Sequence, residues 1–98
     1  NMEFRKGILF IRLKGDLNKN TIRGIIDKDF KYIVLNIDDM YSIDNYSIKY
    51  LNKIYKQYEE ENNKFIICDK FSVSSKLLKD IPKINREYDA FKLFERMI

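Results

Sequence analysis

The run KYIVLNI, residues 31–37, constrains the fold more than any other stretch. It is rich in β-branched and aromatic residues, which favour strands. An apolar run of this kind reads as a strand covered on both faces, the condition of a largely parallel sheet. KFIICD at 64–69 is a second such run. Between them NYSIKYLNKIYKQYEEENN, residues 45–63, sets Ile48, Leu51, Tyr55 and Tyr58 at helical spacing, with Tyr50 and Ile54 beside them. That predicts a helix of about four turns, ended by Asn62-Asn63.

The flanks extend the pattern. MEFRKGILFIRLKG, residues 2–15, alternates around Lys6-Gly7 and predicts a hairpin whose second strand lies inside the sheet. DLNKNTIRGIIDKDF, residues 16–30, carries Ile22, Ile25 and Ile26 at helical spacing behind possible caps Asn18, Asn20 and Thr21. A short helix is expected there, weakened by Gly24. SVSSKLLKDIP, residues 72–82, reads as another short helix, capped by Ser72 or Ser74 and stopped by Pro82. KINRE, residues 83–87, reads as a last short strand. DAFKLFERMI, residues 89–98, reads as a closing helix with Ala90, Phe91, Phe94 and Met97 on one face. The expected order is β-β-α-β-α-β-α-β-α. This describes a single α/β domain over residues 2–98, with a mixed, mostly parallel sheet of about five strands and about four helices packed on it. Asn1, ahead of Met2, reads as an addition to the natural start.

The residue inventory removes whole classes of chemistry. With no histidine and one cysteine, Cys68, neither a Ser-His-Asp nor a Cys-His arrangement can be built. Zinc sites of the Cys/His type are excluded as well. The glycines stand alone at 7, 15 and 24, so no phosphate-binding loop exists. No catalytic residue, metal or cofactor is expected. Cys68 ends an apolar strand and reads as a small buried hydrophobe. A single cysteine fits a reducing compartment, and no apolar run of membrane-spanning length occurs. A cytoplasmic protein is expected. The net charge is +4, but acids are interspersed and no basic cluster or reader motif appears. Neither a nucleic-acid nor a membrane partner is therefore expected.

Chemistry concentrates in MYSIDNYSIKYL, residues 40–51. Asp44 or Asn45 can cap the long helix, and Ser47 sits in its first turn. A helix mouth exposes unpaired N–H groups and a positive dipole end, so a phosphate there would be stabilised. Capping alone also explains these residues. Asp38, Asp39 and Asp44 could together suggest a weak magnesium or nucleotide site at the sheet edge, although turn caps use the same residues.

The strand IVLNIDDM, the turn YSIDNYS, the helix IKYLNKIYKQYEEENNK and the strand FIICD together resemble the STAS domain, shared by sulfate transporters and bacterial anti-sigma factor antagonists. GILFIRLKGDLNKNT resembles the family's opening hairpin with its G-x-L/I-x-x-x-T segment, here Gly15, Leu17 and Thr21. SVSSKLL is similar to its short later helix. The regulatory members carry D-S-S-G or D-S-T-G at the turn. Their second hydroxyl residue is phosphorylated by a partner anti-sigma factor that is also a kinase.

Matched on the aspartate, Asp44 keeps its place, Asn45 stands for the first Ser, Tyr46 for the phosphoacceptor and Ser47 for the Gly. Ser47 is one position late, about 100° around the helix.

The resemblance implies a non-enzymatic bacterial interaction module acting in transcription regulation, its partner an anti-sigma factor or related kinase-like protein. The implied surface is the turn 42–47 plus the exposed helix face: Asp44, Asn45, Tyr46, Ser47, Lys49 and Lys53, with Lys56 further along. The usual Ser/Thr switch would be missing, leaving Ser47, Ser42 and Tyr46 as the hydroxyls available for phosphate. A small-ligand or nucleotide-binding domain using the three aspartates is the alternative. The sequence does not set the oligomeric state.

Overall fold

Every residue from Ile8 to Ile11 is buried, as an interior strand requires. They open β2 (Ile8–Leu17), which follows β1 (Met2–Arg5) across a two-residue turn. Lys6 and Gly7 take left-handed φ values of 50° and 84°, the type I′ geometry whose twist suits a hairpin. The structure, a computed structural model, describes residues 1–74 and 76–95. After β2 come β3 (Tyr32–Ile43), α1 (Asn45–Glu60), β4 (Lys64–Cys68), β5 (Lys83–Ile84) and α2 (Asp89–Glu95).

The strands form one sheet in the order β1-β2-β3-β4-β5. Only β1 is antiparallel to its neighbour; the other pairs are parallel. The mixed, mostly parallel five-strand sheet is the expected one. The helix count is not. Two helices stand among the described residues instead of four, and the order is β-β-β-α-β-β-α.

Residues 18–30 are a chain of turns rather than a helix. Asn18 Oδ1 accepts the N–H groups of Asn20 (2.9 Å) and Thr21 (3.2 Å), and Thr21 Oγ1 donates to Asp16 O at 2.9 Å. Such local bonds offer the backbone an alternative to the helical ladder. Gly24, at φ 78°, then breaks the path outright. Ile22 and Ile26 remain buried, so their spacing reported burial correctly and helix wrongly.

The second missing helix, at 72–82, is likewise a set of isolated turns, with Ser75 outside the described residues. Asp69 captures the N–H groups of Val73 and Ser74, and Lys83 Nζ donates to the carbonyls of Leu78 and Ile81. Side chains thus take the places that helical bonds would fill. In α2, Ala90 and Phe94 are buried and Phe91 is half-buried, while Met97 lies outside the described residues.

Successive strand residues point to opposite faces. Leu9, Ile33, Leu35 and Ile67 pack with Leu51, Ile54 and Tyr58 of α1. Phe10, Val34, Ile66 and Cys68 pack with Ala90 and Phe94 of α2. Tyr58 anchors the far end of α1. Its hydroxyl donates to Phe30 O at 2.7 Å, and its ring meets Phe65 edge-on at 5.9 Å.

Cys68 is fully buried and free, and burial pushes its thiol up to about 12. Against an ordinary value of 9.0 its thiolate population is about a thousandfold smaller at pH 8. Ellman's reagent should therefore leave the native thiol untouched and titrate it fully in guanidinium. Rapid native labelling would contradict this packing.

Candidate functional site

The helix mouth stands on a projecting ribbon. β4 ends at Cys68, paired with Asn36, whereas β3 continues to Ile43 beside β2 alone. Register shifts between Arg12 and Lys14 and between Gly15 and Asp16 bend that ribbon. The expected turn of residues 42–47 contracts to Asp44. Ser42 and Ile43 still belong to β3, and Asn45 already belongs to α1.

Asp44 is the N-cap, with extended backbone at φ −90° and ψ 170°. Its Oδ1 accepts the Ser47 N–H at 2.8 Å and its Oδ2 accepts the Lys19 N–H at 3.1 Å. Its own N–H donates to Leu17 O at 3.0 Å. One carboxylate thus ties the loop after β2 to the start of α1. The Ser47 N–H, then the Ser47 hydroxyl, hold the Asp44 carboxyl below its ordinary value.

The other predicted residues divide between interior and surface. Ser47 is 0% exposed. Its Oγ closes no hydrogen bond of good geometry, although it lies near enough to the Asp44 carboxylate to favour ionisation. Asn45, Tyr46, Lys49 and Lys53 are exposed. Tyr46 is 40% exposed, and the Lys19 ammonium sits 6.0 Å from its ring centroid. Ser42 is exposed, but its Oγ already donates to Asp16 Oδ1 at 2.7 Å. The surface thus gathers Lys19, Asn45, Tyr46 and Lys49 around a mouth that half-buried Asp44 caps and whose Ser47 faces inward.

The acidic alternative gains no geometry. Asp38 Oδ1 accepts the Lys70 N–H at 2.7 Å, Asp44 caps α1, and Asp39 is the exposed neighbour of Asp38 on a strand that alternates faces. Among the described residues no group of three acids, histidines or cysteines could hold a metal ion. No helix among them is long and apolar enough to cross a membrane.

Two polar clusters elsewhere in the fold were not foreseen from the sequence. Asp69, 2% exposed, accepts Ser74 Oγ at 2.6 Å, Ser74 N–H at 2.8 Å and Val73 N–H at 3.1 Å. Burial opposes its ionisation, yet these donors outweigh burial and hold it below the ordinary range. Asp69 followed by Ser72 and Ser74 is a turn signature that could have disclosed it. On the α2 face, Glu87 accepts Arg12 through both carboxylate oxygens, at 2.8 and 2.7 Å, and Asn36 Nδ2 at 2.7 Å. Glu87 is held below its ordinary value, chiefly by Arg12. No local pattern links residues so distant in sequence.

No protein-family model matches the chain. Solved structures do. The unphosphorylated anti-sigma factor antagonist SpoIIAA matches 100% of this chain and 98% of its own, with TM-score 0.72 and 14% identity. A candidate anti-sigma factor antagonist of Thermotoga maritima matches 98% of this chain and 94% of its own, with TM-score 0.81 and 15% identity.

The chain has the STAS fold.

A structure of Mglu shares it more locally, over 70% of this chain and 19% of its own, with TM-score 0.61 and 13% identity. At these identities the likeness is one of fold. Within the STAS fold the Asp44 turn of this chain opens the helix after the third strand. Ser47, in the first turn of that helix, is closed to solvent.

Proposed function

We propose that the chain is a non-enzymatic interaction module of the anti-sigma factor antagonist kind. It binds an anti-sigma factor or a related kinase-like protein through the mouth of α1 and works without the usual Ser/Thr switch. One observation carries this reading: the mouth is fixed by the Asp44 cap and displays Asn45, Tyr46 and Lys49, with its only helical serine, Ser47, sealed away. Two STAS-fold proteins described as anti-sigma factor antagonists support the choice of partner.

In this surface Asp44 and Ser47 set the shape, and Asn45, Tyr46, Lys49 and Lys53 make the contacts. Tyrosine is favoured at the centre of interfaces, because it offers a rigid ring and a hydroxyl at low entropic cost. Of the three hydroxyls open to phosphate by sequence, Tyr46 is the accessible one at the helix mouth. Ser42 is engaged with Asp16.

Isothermal titration against the kinase-like anti-sigma factors of the source genome tests the reading. One of them should bind, and Tyr46→Ala should weaken it by about 2 kcal/mol, some thirtyfold, with Tm unchanged. A partner that binds equally well after Tyr46→Ala and Asn45→Ala would remove the helix mouth from the interface.

A further inference from the structure

We infer that the exposed face of α1 docks an acidic segment of a protein partner along Lys49, Lys53 and Lys56. The inference rests on the reading of α1 as part of a partner-binding surface and names the partner's chemistry.

The charge order of α1 runs against the stability of the helix. A helix favours acids in its first turn and bases in its last. Here the first turn holds no acid and the last no base. Lysines occupy 49, 53 and 56, and Glu59, Glu60 and Glu61 follow at the carboxyl end. Lys49 and Lys53 stand at i,i+4, a spacing at which like charges repel. Lys56 precedes Glu60 in the weaker orientation of that pair. All three lysines are exposed, and the salt bridges found among the described residues engage none of them. A helix whose lysines stand towards its amino end and whose glutamates stand at its carboxyl end, against its own dipole, marks a surface kept for binding.

The layout selects the occupant. Lys49, Asn52, Lys53, Lys56, Gln57 and Glu60 line a shallow groove. The lysines span about 10 Å along the axis, the reach of two helical turns. That accepts two or three carboxylates spaced as on a helix. A nucleic-acid backbone or a lipid surface would extend past the strip and meet Glu59, Glu60 and Glu61 at its carboxyl end. A second copy fits no better. An antiparallel pairing that sets Lys49 against Glu60 sets Lys53 against Lys56.

The test is titration of the isotope-labelled chain, followed by backbone amide shifts. The probe is a synthetic alanine-rich helical peptide with glutamates at i, i+4 and i+7. Parallel arms use its lysine counterpart, a single-stranded RNA and phosphatidylglycerol vesicles. The acidic peptide should shift amides 49–56 and lose about tenfold in affinity from low to high salt. K49E/K53E should abolish the shifts, while K28E/K31E, at exposed lysines outside α1, should leave them. K49E alone should raise Tm by about 2 °C, since it turns a repulsive pair into an attractive one.

The inference is overturned if the acidic peptide moves no α1 amide, if RNA or vesicles bind this face more tightly, or if K49E lowers Tm. An anti-sigma factor that binds through Tyr46 while α1 ignores the acidic peptide would remove this inference and leave the functional reading standing.

Discussion

Ser47→Glu should bring the domain to the edge of unfolding, whereas Tyr46→Glu, one residue earlier, should be nearly silent. Ser47 has no exposed surface, so a carboxylate there enters the interior without a cation to meet it. Burying an unpaired charge costs about 3–5 kcal/mol. A domain of this length holds roughly 5–15 kcal/mol in total. Tyr46 is 40% exposed, and a substitution there changes stability by about 0.5 kcal/mol or less. Ser47→Ala should be neutral or stabilising, because the Ser47 hydroxyl is buried without a well-formed hydrogen bond. Urea unfolding of the three variants checks all of this. An unchanged midpoint for Ser47→Glu would mean that the mouth of α1 is open and that Ser47 can carry phosphate in the folded state.

The other large effect is expected at Asp69. Asp69→Ala strips acceptors from the Ser74 hydroxyl and from two backbone N–H groups in a buried corner. Orphaned buried donors cost about 1–3 kcal/mol each, partly recovered by relaxation, so a net loss of about 3 kcal/mol is expected at pH 7. The loss should depend on pH. Asp69, Glu87 and Asp44 are all held below their ordinary values in the folded chain. A carboxyl that binds its proton less readily when folded adds stability above its unfolded value of about 4. That contribution disappears as pH falls through the folded values. The urea midpoint of the wild type should thus drop below about pH 4. The gap between wild type and Asp69→Ala should narrow over the same range. A constant gap down to pH 2 would show that folding leaves the proton affinity of Asp69 unchanged, against the donor set around it.

The strands and α1 were legible because their signals are local and redundant. Tyr32–Leu35 and Phe65–Cys68 are apolar on both faces, and Leu51, Ile54 and Tyr58 repeat at helical spacing. Lys6-Gly7 announced its own hairpin turn. The two lost helices share one cause. Asn18, Thr21 and Asp69 carry short polar side chains that can cap a helix or replace its bonds, and the sequence alone does not say which. The buried positions Ile22, Ile26, Leu78 and Ile81 were needed by the core in either case.

At the site, the capping role of Asp44 was readable from its place before an apolar periodic run. The inward turn of Ser47 was not, because it depends on how α1 lies on the sheet. Arg12, Asn36 and Glu87 meet only through tertiary structure, which no spacing rule encodes.

The interaction surface we propose lies at the mouth of α1 and has no serine or threonine switch. Intact-mass and peptide-level mass spectrometry tests this after the chain is incubated with a kinase-like anti-sigma factor that binds it, magnesium and ATP, with complex formation followed on the same sample. A complex that persists, with no phosphate on Ser47 or Ser42, is the expected result. Phosphate on either serine, accompanied by release of the partner, would contradict it.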